Sequence, residues 1–540
     1  MSQLPYRAPR RRATAWSTKR MEDVIAAEAC LGQLTSSRIY RFVMGVDSEP
    51  VVMPQAELDS LADPMGTLLR QGRFPLTVGD LLAEVDAAGA LPLQRSYLVS
   101  EAGQIPPDEA EAGGLQRDLR FAITRARAAD VDLLVSTSAR GNPATTFLQV
   151  AAWDETAGLF NYYMRIDRSW VWAGNSYSAL APQSRGQGCF DSHINGSLVM
   201  KELKQPWLGW QSMNATILLA PDDPLRRDPL YKSLSGAEDL ERTVRAGVSR
   251  WTTARLKHAV GPDGRVSDLD GLLRQLCTST TVNLASSVTA SGTVARNPSK
   301  PLTLPLGFWL NVDSLLDDLG VPAHFVPPSV PGQWYLDSLA HYDFALVERD
   351  FRRPGDAFFA FVVPEAAFED VEVVNQMVRR RLITAHFAAS VLMVDFPNPV
   401  FSPARAKLLE YVPATAALDP AGGGVSSQIA EAIGRAAEGL PGDSPEAQFM
   451  ANWRLAEAQW RDMFAERIQD YLEAVTARVG TAEGFDDYVR LAESRRREFK
   501  RMRLNEFALT LPVTSIAPDA PLLRMNQDGT IGEKYASLPT

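Results

Sequence analysis

The sequence predicts an α+β fold: helical layers packed on small antiparallel sheets, with long helices at the C-terminal end. Three observations point to it. The β-rich runs Phe147–Val150 and Leu159–Ile166 flank a turn signal at Asp154–Gly158, which reads as a hairpin with a five-residue loop. Leu240, Val244, Val248 and Trp251 recur on one helical face. Trp453, Trp460, Phe464, Tyr471 and Val475 do so beyond Pro445, as an aromatic stripe packed on a core rather than a cofactor box. At 540 residues the chain exceeds the size at which one core keeps growing, so several packed subdomains are expected.

Taken in order, residues 1–20 read as a disordered basic arm. No apolar core follows their arginines, so they do not read as a secretory signal; an organellar transit peptide is the alternative. Residues 21–140 read as mostly helical, including an amphipathic helix over Leu115–Ala129. Residues 141–300 hold the hairpin, the unusual stretch 186–213 and helices. The next helix begins at Ser235, which has capping-box spacing to Glu238. Residues 301–412 form an α+β region, with strands expected at Phe344–Val347 and Phe358–Val363 and a helix at Val371–Arg381. Residues 413–445 are rich in Ala, Gly, Ser and Pro and read as a linker around a short helix. Residues 446–540 form a C-terminal helical region and tail: a long helix from Pro445 to Val479 and a basic one to about Asn505.

Composition excludes several classes. Hydrophobic residues make up 45% and charged residues 22%, as in folded globular proteins. No apolar run is long enough to span a bilayer. A net charge of -10 lacks the footprint of a nucleic-acid binder. The clusters Arg379–Arg381 and Arg495–Arg497 read as solvated helix faces paired with nearby acids. Three cysteines, Cys30, Cys189 and Cys277, argue against a disulfide framework and for a reducing, cytoplasmic setting. The phosphate-binding loop Gly-x-x-x-x-Gly-Lys-Ser/Thr, the dinucleotide fingerprint Gly-x-Gly-x-x-Gly and the Gly-x-Ser-x-Gly elbow are all missing from the sequence.

What stands out is Cys189-Phe-Asp-Ser-His193. A Cys-x-x-Cys-His motif attaches c-type haem through two thiols, and its histidine ligates iron. Here Ser192 occupies the second thiol position. Together with His193-Ile-Asn-Gly196, Met200-Lys-Glu-Leu203 and Pro206-Trp207, the segment resembles bacterial cytochrome-c-like proteins carrying Cys-x-x-Cys-His-x-Asn-Gly before Met-Lys-Glu-Leu. The resemblance covers about thirty residues. It implies His193 as iron ligand and Cys189 as a neighbour or single attachment point. By residue type, Met200, Met213 or His258 would be the sixth ligand.

Other readings compete. Cys189 as a small buried hydrophobe and His193 as a satisfied polar residue is the structural one. A non-haem metal could use Asp191 and His193, or the similar pair His341 and Asp343. Six of the eleven tryptophans lie between Trp153 and Trp251, where core packing or a flat apolar ligand would explain them. The leading expectation is a cytoplasmic haem-dependent oxidoreductase, related to cytochrome-c-like proteins and acting on a small organic molecule. The alternative is a haem-free binding or assembly protein in which the segment is only scaffold.

Overall fold

The computed structural model describes residues 38–100, 119–348, 351–355, 357–419, 423–504 and 511–534. The expected arm at 1–20 and Cys30 lie outside them. Besides five two-stranded antiparallel sheets, the described residues form one eight-stranded sheet, ordered β2-β1-β8-β7-β6-β5-β4-β3. Its strands are β1 (Ile39–Arg41), β2 (Val51–Val52), β3 (Leu93–Ser100), β4 (Leu119–Ala126), β5 (Leu133–Ser138), β6 (Leu148–Asp154), β7 (Leu159–Ile166) and β8 (Ser169–Asn175). From β3 to β8 the chain is an antiparallel meander. β1 lies parallel to β8, with Tyr40 opposite Val171.

The expected hairpin is β6–β7. Asp154 joins the ladder opposite Leu159, so the loop is four residues rather than five. The Asp154 carboxylate accepts the Thr156 and Ala157 amides at 2.9 Å and so shapes the turn.

The helix expected over Leu115–Ala129 is strand β4 in its described part. Both faces of that strand are covered, so Phe121, Ala122 and Ile123 form a continuous apolar run that periodicity cannot tell from a buried helix. Described residues up to 140 are accordingly strand and helix together. On one face of the sheet, Leu98, Phe121, Ile123, Leu133, Val150 and Trp170 meet Met65 and Leu68 of α1 (Pro64–Arg70) and Leu81 and Val85 of α2 (Val78–Ala88). On the other, Tyr97, Val99, Tyr162, Met164 and Val171 meet Leu240, Val244, Val248 and Trp251 of α3 (Ala237–Ala259). The capping box expected at Ser235 does not form: Gly236 is the N-cap, and the Ser235 amide donates to Ser96 O at 2.7 Å, tying the helix start to the sheet.

A second, helix-rich core follows. It comprises α4 (Leu269–Cys277), the antiparallel pair β9 (Val282–Ala285) and β10 (Val363–Ala366), α5 (Phe368–Arg379), α6 (Ala385–Leu392), α7 (Gly424–Ala437), α8 (Pro445–Trp453), α9 (Trp460–Val479) and α10 (Ala482–Arg501). A strand stands at Ala345–Glu348 as expected. The one expected over Phe358–Val363 begins only at Val363; Phe359 makes a single bridge to Ala290, and Phe361 takes φ +61°. The stretch read as a linker carries α7, whose Val425, Ile429 and Ile433 are buried in this core. The long C-terminal helix is broken between α8 and α9. Trp460, Phe464, Tyr471 and Val475 are buried, as a core stripe requires.

The arginine run on α10 is a correction of another kind. Arg495, Arg496 and Arg497 are 1, 2 and 7% exposed, not solvated. Their guanidinium groups reach backbone carbonyls: Phe308 O and Pro397 O for Arg495, Val362 O for Arg496, Ala520 O for Arg497. Arg496 pairs with Glu493 at 2.8 Å. A planar fork of donors suits loop carbonyls that helices and sheets leave unpaired. Arg379, Arg380 and Arg381 are exposed, as expected.

Candidate functional site

The segment from Gly188 to Lys204 crosses the seam between the sheet and the helix-rich core. It begins in a short 3-10 turn, Gly188–Asp191, and continues without regular structure. Its polar groups are paired outward in both directions. Toward the sheet and α3, Ser197 O accepts Tyr162 Oη at 3.1 Å, Gly196 O accepts Ser176 Oγ at 2.6 Å, and Asn195 O accepts the Trp251 indole at 2.8 Å. Toward the other core, Asn195 Nδ2 donates to Thr280 Oγ1 at 2.9 Å, which donates to Asp370 at 2.5 Å. Lys201 Nζ reaches Thr281 Oγ1 at 2.5 Å. The Leu203 amide donates to Asn283 Oδ1, and Asn283 donates to Glu365, both at 2.8 Å. Lys204 bridges Glu365 and Asp313 at 3.0 and 2.9 Å.

Gly196 shows why this path needs its residue. Its φ is +74°, and a Cβ there would stand 2.4 Å from Ser176 O. Only glycine takes this conformation this close to another backbone without strain.

The predicted site residues lie along the same path. Cys189 is buried between sheet and turn in the cluster holding Tyr162 and Phe190. Burial, then the Asp191 charge, pushes its thiol up to about 12, so it is a protonated, unreactive hydrophobe at neutral pH. The His193 ring is tilted against Tyr162, with centroids 4.9 Å apart. Nδ1 stands 2.7 Å from Ser197 O. A carbonyl only accepts, so Nδ1 carries the proton and the lone pair is on Nε2. That is the tautomer a metal-bound histidine uses, and equally that of a satisfied structural one. Burial pulls its pKa down to about 4, against the Ser197 carbonyl and with the Lys201 charge, so the ring is neutral. Met200 is 1% exposed in the same core as Cys189.

Neither a small polar cavity at the seam nor an apolar groove on the far side of the sheet is lined by Cys189, His193 or Met200. The Cys189 thiol and the Met200 thioether are buried, while His193 is half-buried. Among the described residues no group of three or more His, Cys, Asp or Glu is placed to hold a metal ion. Asp191 is buried; Met213 and His258 are exposed. His341 is exposed and stacks edge-on with Tyr342, while Asp343 pairs with Arg352 at 2.9 Å.

The tryptophans divide clearly. Each of the six between Trp153 and Trp251 donates its indole N–H: to Glu155, Pro75 O, Asn161, Glu241, Glu202 and Asn195 O respectively. Each of these donors finds an acceptor, as buried indoles do in a packed core.

Sequence reading missed the acids that converge on the seam. Glu202 is 1% exposed, and burial raises its pKa to about 7 against its hydrogen bond from Trp210. Burial raises Asp370 to about 7 against its hydrogen bonds from Thr280. The seam cavity, about 20 Å³ and lined by Thr281, Asp370 and Arg405, has room for one water. The signal was present in Met200-Lys-Glu-Leu203, where two charged residues sit within an apolar run and so have to find partners. Compared with protein families, characterised proteins and solved structures, the chain matches none. Among the described residues no helix is long and apolar enough to cross a membrane.

Proposed function

We propose that this chain is a haem-free binding protein in which the cytochrome-like segment serves as scaffold. The observation that carries this is the outward pairing from Asn195 to Lys204, which joins the sheet and α3 to the helix-rich core. A segment used in this way has to stay packed in order to hold the fold. Admitting a flat macrocycle beside His193 would displace the Tyr162 ring now packed 4.9 Å from it, although the Nδ1 bond to Ser197 O would remain.

The test is the visible spectrum of protein expressed under haem-replete conditions, repeated after hemin is titrated into purified protein. The expected result is no Soret band in either case, with His193→Ala changing thermal stability but not the spectrum. A Soret band in the wild type that His193→Ala removes would replace this proposal by the oxidoreductase reading, with His193 as ligand, Cys189 as single attachment point and Met200 as candidate sixth ligand.

A further inference from the structure

An apolar groove opens beside α1 and α2. Its volume is about 220 Å³. Buried Leu68, Val85, Leu91 and Trp153 are among the residues that line it, and Thr67 and Ala88 stand along its opening. The groove is held open by fixed elements. Asp63 caps α1 by accepting the Gly66 amide at 2.9 Å, and it is anchored to the sheet by Asn161 at 2.9 Å and Tyr163 at 2.7 Å. Asp154 holds the Ala62 amide at 2.9 Å. A capping box, Thr77 with Asp80, fixes the start of α2.

Two of the lining residues are charged, Arg127 and Glu155, and both are paired, with each other and with Asp132 and Arg250 beyond the groove. Arg127 pairs with Asp132 at 2.8 Å. Arg250 lies 4.3 Å from the Trp153 ring centroid and pairs with Glu155, which also accepts the Trp153 indole at 2.9 Å. Arg250 is 3.6 Å from Asp132, and Arg127 is 3.8 Å from Glu155. Two cations and two anions thus close on one another. A charged ligand would have to break this quartet, whereas a neutral one leaves it intact. Apolar walls, a balanced rim and a volume above the roughly 150 Å³ that accepts benzene in an engineered cavity define the ligand class.

The geometry points to a binding site for a small uncharged aromatic molecule of one or two rings, bounded by α1, α2 and Trp153. This deepens the binding-protein reading and rests on it. The haem question is read separately, from the visible spectrum, so either idea can fail alone. The test is calorimetric titration of the full chain with indole and, in parallel, with anionic indole-3-acetate. Indole is expected to bind with a Kd at or below about 1 mM, within the limit for nine non-hydrogen atoms. Indole-3-acetate is expected to bind at least tenfold more weakly. Ala88→Trp plugs the groove from an exposed position and should abolish indole binding at an unchanged Tm. If that variant is unstable, Thr67→Phe serves as the second plug. No heat of binding up to 10-fold above that Kd, equal binding of the anion, or binding that survives a plug in a folded variant would each overturn the proposal.

Discussion

At residue scale, the features that resemble a haem motif have structural explanations. Asn195 is used at both ends, its carbonyl by Trp251 and its amide by Thr280. Gly196 supplies a positive φ where the chain passes 2.4 Å, on a Cβ basis, from Ser176 O. Gly196→Ala should therefore destabilise the protein by at least about 2 kcal/mol in denaturant unfolding, from backbone strain and the close approach together. His193 gives a pH prediction. Burial holds its folded pKa at about 4, below the ordinary imidazole value of 6.5. The unfolded chain binds the proton more readily, so the stability tied to the neutral ring is present above pH 6.5 and is lost as pH falls toward 4. His193→Gln should flatten the stability profile in that window, relative to wild type. A profile of unchanged slope would mean that the ring is not held neutral. The Asn-Gly pair could have been read from sequence as a positive-φ turn. The pairing of Ser197 O could not, because the acceptor is backbone and its donors Tyr162 and His193 are 35 and 4 residues away.

At element scale, the largest misreadings were of burial rather than of periodicity. β4 reads as helix because both of its faces are covered. The α10 arginines read as solvated because a run of charges carries no sign of the loop carbonyls waiting at Phe308, Val362 and Ala520. Helix spacing itself was legible: α3 and α9 lie where their apolar stripes placed them. The arginines also separate the two readings experimentally. Arg495→Ala should cost about 3 kcal/mol or more, because it leaves buried carbonyls without donors and opens space against the Phe308 ring. Arg380→Ala, on the exposed end of α5, should stay within about 0.5 kcal/mol. Equal effects in urea unfolding would contradict the burial of α10.

At the scale of the whole molecule, the α+β class was legible, while the single large sheet and the seam were not, because both depend on pairings between distant residues. The seam carries its own pH signature. Asp370 is raised to about 7, from 3.8, by burial. The folded state then holds the proton more tightly than the unfolded state, so stability from this group is present below pH 3.8 and is lost as pH rises to 7. Asp370→Asn should gain on the wild type across that interval. No relative gain would mean that the carboxyl is solvated.

The most direct measurement of the account's central claim is amide hydrogen exchange across residues 193–204. A scaffold that joins the sheet to the helix-rich core should exchange only when the whole molecule opens. Its protection should then match that of β7 and α3 within about 1 kcal/mol. Exchange of the His193–Lys204 amides several kcal/mol easier than the flanking β7 and α3, signalling a segment that opens on its own to admit a cofactor, would contradict it.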